Sequence, residues 1–151
     1  MRKTFKNELK LSVDANQYYT FSQAVEMSKR LAEYNIFWFE EPLFNASLVE
    51  LSKLAKLSPV RIATGENMNS HWQMQDACEL EAAAVLQPDI IHQGGITEFS
   101  RSIGIIKQYN MILGTHLFHE LSSSLAGLNE EHFVEHFDFF PDDFFINDFS
   151  I

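Results

Sequence analysis

Six residues of this sequence combine reactive chemistry with a regular rhythm. Asp14, Glu40, Glu66, Asp89, His116 and Glu135 each come just after or at the end of a short apolar run, at separations of 26, 26, 23, 27 and 19 residues. Any one alone reads as a solvated carboxylate, a helix cap or a structural histidine, but six at such spacing are hard to obtain from caps. If the first three acids meet, their charges repel unless a cation neutralises them. A ligand set made only of oxygen favours Mg²⁺, with Mn²⁺ as a substitute. Zinc is disfavoured, since neither Cys nor His falls among the three. His116 beside Asp89 makes a general base, because a carboxylate bonded to one ring nitrogen fixes the tautomer and raises the basicity of the other. Glu135 would donate a proton or hydrogen bond to a developing oxyanion if burial and neighbouring acids keep it protonated; a plain structural carboxylate is the equal alternative. His71, His92, His119, His132 and His136 read as surface, capping or supporting groups, with His119, next to Glu120, the one closest to this chemistry.

The elements that must position these residues repeat as strand, turn and helix. Apolar runs at 9–13, 36–39, 60–63, 85–86, 111–113 and from 133 read as strands. Helices are expected from about Ser22, over 71–80, 97–109 and 117–125, and after Ser47, whose Glu50 three residues on completes a capping box. Strands alternating with helices on short connections require right-handed crossovers and parallel pairing. The fold class is therefore α/β. If the sheet curls as in a parallel barrel, all strand ends face one mouth, where six residues distant in sequence converge.

Composition narrows the function. At 46% hydrophobic and 21% charged, the 151 residues suit one packed domain rather than a collagen-like, coiled-coil or disordered chain. Eleven Lys and Arg against twenty-one Asp and Glu give a formal charge of −10, which repels phosphate, so no nucleic acid partner is expected. The opening MRKTFKNELK is not followed by the apolar stretch of a signal peptide. No run reaches the roughly 18 residues of a membrane span, and a cytoplasmic protein without membrane association is expected. The single cysteine, Cys78, has no partner for an intramolecular disulfide and reads as a small apolar residue on a helix.

The segments VDANQ (13–17), WFEEPL (38–43), ATGEN (63–67), QPDIIHQGGITEF (87–99), THLFHE (115–120) and AGLNEEHFVEHFD (126–138) resemble the enolase superfamily. Within it they look like the mandelate racemase and muconate-lactonizing-enzyme branch, in particular its acid-sugar dehydratases. The resemblance runs from about residue 9 to about residue 140, and six ordered motifs at barrel-unit spacing make it specific. It implies that Asp14, Glu40 and Glu66 are Mg²⁺ ligands, that Asp89 and His116 form the base dyad, and that Glu135 is the electrophilic partner. Asn16, Asn67 and Gln87 fall at positions suited to supporting the ligands or touching substrate, and Glu41 at one suited to supporting its neighbour or packing locally. The implied reaction is removal of a proton α to the carboxylate of a small-molecule sugar acid, followed by β-elimination of water. A racemase or epimerase of a 2-hydroxy acid, or an inactive truncated remnant, is the alternative.

A family barrel has eight units and about 200 residues or more, whereas this chain supplies six. The expectation is one incomplete barrel domain over residues 1–151, open rather than closed, with the capping domain and first barrel strands lying upstream of Met1. Its edges would be the strands at Leu9 and Phe133. Such a fragment is expected to be unstable alone, homo-oligomeric, or dependent on the missing segments. Seven of the fourteen Phe fall within 133–149, a density that calls for burial against missing parts, between chains or back into the barrel.

Overall fold

The computed structural model describes residues 8–127 and 132–136. Within them the chain runs β1 (Val13–Asp14), α1 (Phe21–Ala32), β2 (Trp38–Glu40), α2 (Leu48–Leu57), β3 (Arg61–Thr64), α3 (His71–Glu79), β4 (Val85–Leu86), α4 (Ile96–Gln108), β5 (Ile112–Thr115), α5 (His119–Ala126) and β6 (Phe133–Val134). All five neighbouring strand pairs are parallel and the sheet order is sequential, as right-handed strand–helix–strand units require. Among the described residues β1 and β6 each pair on one side only, so the six-stranded barrel is open.

Local sequence sets the helix starts. Ser47 and Glu50 form the expected capping box: Ser47 Oγ accepts Glu50 N–H at 3.3 Å, and Glu50 Oε2 accepts Ser47 N–H at 3.1 Å. α1 has a similar device that the sequence reading passed over, with Gln23 Oε1 accepting Thr20 N–H at 3.0 Å. α5 begins two residues later than expected, because Leu117 and Phe118 take positive φ of 44° and 43° and cannot open a right-handed helix. β1 is also shorter than the predicted 9–13. Leu11 still accepts Phe37 N–H at 2.6 Å, but the ladder itself starts at Val13.

Strand register sorts side chains onto two faces. Phe39, Ile62, Leu86 and Leu113 are buried in the core shared with Leu54, Met74, Phe99 and Ile106 of the helices. Each such side chain contributes about 1.5–3 kcal/mol. Residues one step along face the concave side, where Asp14 is level with Glu40, and Glu40 with Ala63. Phe133 on β6 packs edge-on against Trp38 on β2, with ring centroids 5.2 Å apart, so the sheet curls enough for strands four positions apart to touch. Phe133 thus folds back into the barrel; Phe137, Phe139, Phe140, Phe144, Phe145 and Phe149 lie outside the described residues. Cys78 is buried on α3, its thiol pushed up to about 11 by burial and then by the Glu79 charge, which suits an unreactive core residue. Among the described residues no helix is long and apolar enough to cross a membrane.

Candidate active site at the strand ends

Asp89 and His116 are the most fully constructed part of the mouth. They extend the β4–β5 pairing as a parallel bridge, with His116 N–H donating to Pro88 O at 3.1 Å. Asp89 is 1% exposed, and its Oδ1 accepts the N–H groups of Ile91 and His92 at 2.7 and 2.9 Å. That turn occupies one oxygen and aims the other: Oδ2 meets His116 Nδ1 at 2.7 Å. Burial opposes ionisation of Asp89, but the bond from His116 and the two backbone donors outweigh it and hold the carboxyl below its ordinary value. For His116 burial favours the neutral ring. The bond to Asp89 and the charges of Glu66, Glu135 and Asp89 overcome that, and its pKa rises. With a carboxylate on Nδ1, the proton sits there and Nε2 carries the free lone pair, 3.5 Å from Glu66 Oε2.

The acids are gathered at this same mouth by the register of the first three strands. Glu40 is buried, its Oε2 accepting Trp38 Nε1–H at 2.8 Å. Burial raises its pKa against the bonds from Gln87 and Trp38, and the charges of Asp14 and Glu135 add to the rise. Glu66 is likewise raised, first by burial, against the pull of His116, with Glu41, Asp14 and Glu40 adding repulsion. Asp14 Oδ1 accepts Asn16 N–H at 2.7 Å, so Asn16 enters the site through its backbone. Asn67 Nδ2 donates to Glu66 Oε1 at 3.2 Å, and Gln87, 4% exposed, bonds Glu40: both support acids. Glu135 accepts Leu117 N–H at 2.9 Å and is close enough for its charge to act on Glu40 and His116.

Among the described residues no three His, Cys, Asp or Glu side chains are closed into a ready metal cage. Asp14, Glu40 and Glu66 share the mouth and repel one another, yet each is turned to a protein partner. The donor set still fits a hard divalent ion: it is all oxygen, two of its three acids are raised by burial and mutual charge, and few cations oppose them.

One contributor escaped the motif reading and two were read only in general terms. Trp38 is an apolar strand residue whose indole N–H is legible only once its neighbour's carboxylate is known to face the same side. Glu41, read as a supporting group, is buried and accepts Thr64 Oγ1 and Gly65 N–H at 2.7 and 3.0 Å, anchoring the loop that carries Glu66. His92, read with the surface, capping or supporting histidines, has its Nδ1 2.6 Å from Glu66 O. His119 lies 3.5 Å from Glu120 and packs against His136, rings 4.1 Å apart, while His71 pairs with Glu98 at 2.5 Å.

Gly65 makes the Glu66 loop possible. Its φ is +133°, and a Cβ there would lie 2.9 Å from Gln87 N, a backbone atom that cannot swing aside. Gly65→Ala is expected to cost about 1–3 kcal/mol, read as a lower denaturation midpoint, with Mg²⁺ binding weakened as Glu66 is displaced. An unchanged midpoint would contradict this account of the loop.

Known proteins resemble this chain in sequence and fold. Residues 1–149 match the family model described as enolase C-terminal domain-like. The chain is 28% identical over 136 residues to 3,6-anhydro-alpha-L-galactonate cycloisomerase of Streptomyces coelicolor, covering 89% of this chain and 38% of that protein. It is 30% identical over 139 residues to L-talarate/galactarate dehydratase of Salmonella typhimurium, covering 91% and 35%. Among solved structures, L-talarate dehydratase of a Polaromonas species, complexed with Mg and L-glucarate, superposes with a TM-score of 0.83 at 34% identity over 90% of this chain and 37% of its own. The chain thus spans about a third of the length of these relatives.

Proposed function

The chain belongs to the enolase C-terminal domain-like family, and on that premise we propose that its mouth carries the proton-abstraction half of a Mg²⁺-dependent sugar-acid dehydratase. Asp14, Glu40 and Glu66 would hold the ion, which when bound supplies positive charge to the substrate carboxylate as negative charge develops there. His116 takes the α-proton at Nε2, the ring nitrogen that Asp89 leaves unprotonated, and the imidazolium so formed is stabilised by the same carboxylate. The proton then passes from Nε2 to the β-hydroxyl, the Cβ–O bond breaks, water departs, and the enol ketonises to a 2-keto-3-deoxy acid. Glu135, held beside His116 by Leu117 N–H, serves as the electrophilic partner of the developing oxyanion. The observation that supports this reading is the 2.7 Å bond between His116 and Asp89, which orients an imidazole among converging acids.

The test is a panel of sugar acids incubated with the chain and Mg²⁺ in D₂O. The expected result is loss of one water from a single class of acid and appearance of a 2-keto product. Deuterium incorporation at the α-carbon without loss of water would replace dehydration by racemisation or epimerisation. No exchange with any acid would reject proton abstraction by this chain.

A further inference from the structure

The loop bearing Glu66 and the loop bearing Asp89 leave different strands and have no covalent reason to keep a fixed spacing. His116 touches a carboxylate of each, and a second side chain reaches the backbone of the Glu66 loop. His92 Nδ1 is 2.6 Å from Glu66 O, and since a carbonyl oxygen only accepts, the proton is on Nδ1. The backbone N–H of the same residue donates to Asp89 Oδ1 at 2.9 Å, and its ring stacks at 29° on that of His116, centroids 6.3 Å apart. His92 therefore grips the peptide of a metal-ligand candidate with its ring and the carboxylate of the base dyad with its main chain.

Resting on the dehydratase reading of this mouth, we propose that His92 is a positioning residue: its Nδ1–H fixes the Glu66–Asn67 peptide plane and so sets the direction of the Glu66 carboxylate relative to His116. Glu66 lies two residues past the end of β3, beyond a glycine at φ +133°. Glu41 anchors the loop on the near side of that glycine through Thr64 Oγ1 and Gly65 N–H. On the far side the Glu66 carbonyl is held by His92. A rotation of this peptide would carry the Glu66 side chain with it, whereas Asp14 and Glu40 lie within strands and stay in register. The role belongs to an N–H donor at one point in space, not to a basic ring. Asn presents its amide N–H close to where the His Nδ1–H lies, while Leu fills similar space and donates nothing.

The experiment compares the unaltered 151-residue chain with His92→Asn and His92→Leu, using two readouts. Calorimetric titration with Mg²⁺ is expected to show His92→Leu weakened by about 10-fold or more, the size of losing a partner that orients a metal ligand, with His92→Asn close to the unaltered chain. Amide hydrogen exchange over residues 65–68 without metal is expected to accelerate in His92→Leu and not in His92→Asn. Equal exchange in all three chains, or equal acceleration in both variants, would overturn the proposal. So would equal Mg²⁺ affinity in the unaltered chain and His92→Leu. Failure of the unaltered chain to bind Mg²⁺ would instead remove the dehydratase reading, and hydrogen exchange would still decide whether His92 holds the loop.

Discussion

His116→Asn is expected to leave the fold in place and to abolish α-proton exchange, lowering kcat/KM by roughly 10²–10⁴-fold, the usual contribution of a positioned general base. The variant is a clean probe, because Asn keeps an N–H near Nδ1 for Asp89 while removing the Nε2 lone pair, so the buried carboxylate is not stranded. His116 is only partly buried and sits beyond β5, away from the core of Phe39, Leu54 and Phe99. Asp89→Asn tests the other half of the dyad. Asp89 and the surrounding acids raise the His116 pKa, and a base must be unprotonated to act. Activity therefore falls as pH drops through that raised value, and removing the Asp89 charge should move the acidic limb downward. NMR titration of the His116 ring in the metal-free chain reads the same shift directly. Turnover by His116→Asn equal to that of the unaltered chain would refute the assignment. An acidic limb moving upward in Asp89→Asn would refute the proposed coupling.

Much of this mouth was legible because barrel geometry turns sequence spacing into spatial proximity. Asp89 and His116, 27 residues apart, meet because each lies three residues past a paired position of neighbouring strands, Leu86 and Leu113. The Ser47–Glu50 box was equally plain, since capping is a local rule. Other features depend on contacts that no local pattern encodes. Leu117 and Phe118 look like the start of an apolar helix face, and only the tertiary turn that delivers Glu135 to Leu117 N–H forces them to positive φ. Trp38 and His92 carry no signal of their own: one needs the face of Glu40, the other the path of the Glu66 loop, before its N–H has a meaning. The expected cation cage was legible as a set of donors but not as a finished geometry. Spacing fixes where backbones go, whereas carboxylate rotamers follow whichever partner is present.

Glu40→Gln is expected to do two opposite things: weaken Mg²⁺ binding by at least about 100-fold, the upper end of what losing a mere supporting partner costs, and stabilise the metal-free chain by roughly 0.5–2 kcal/mol, the range of stabilising single substitutions. The second effect follows from the sign of the pKa shifts. Glu40, Glu41 and Glu66 are all raised, burial first. A raised folded value means that the folded state retains protons the unfolded chain has released. Stability therefore declines as pH climbs from the ordinary carboxylate value through the folded one, and the penalty is full above it. The raised His116 acts in the same direction: its contribution is present below the ordinary imidazole value and is lost as pH rises through the folded value. Asp89, being lowered, sets the acid side, losing its contribution only as pH falls through a value below that of an ordinary Asp. Metal-free stability should thus peak in mild acid and be lower at pH 8. Gln at position 40 keeps an oxygen for the Trp38 indole and the Gln87 amide while removing a buried charge, which lifts the alkaline side of that profile. Saturating Mg²⁺ should do the same for the unaltered chain, by about 2.7 kcal/mol at a hundred times Kd, and do little for Glu40→Gln. Thermal denaturation across pH 5–8, with and without Mg²⁺, reads all four conditions. A metal-free chain that grows more stable toward pH 8, or a Gln variant that melts lower at neutral pH, would mean that these carboxylates are held by partners strong enough to make a cation unnecessary.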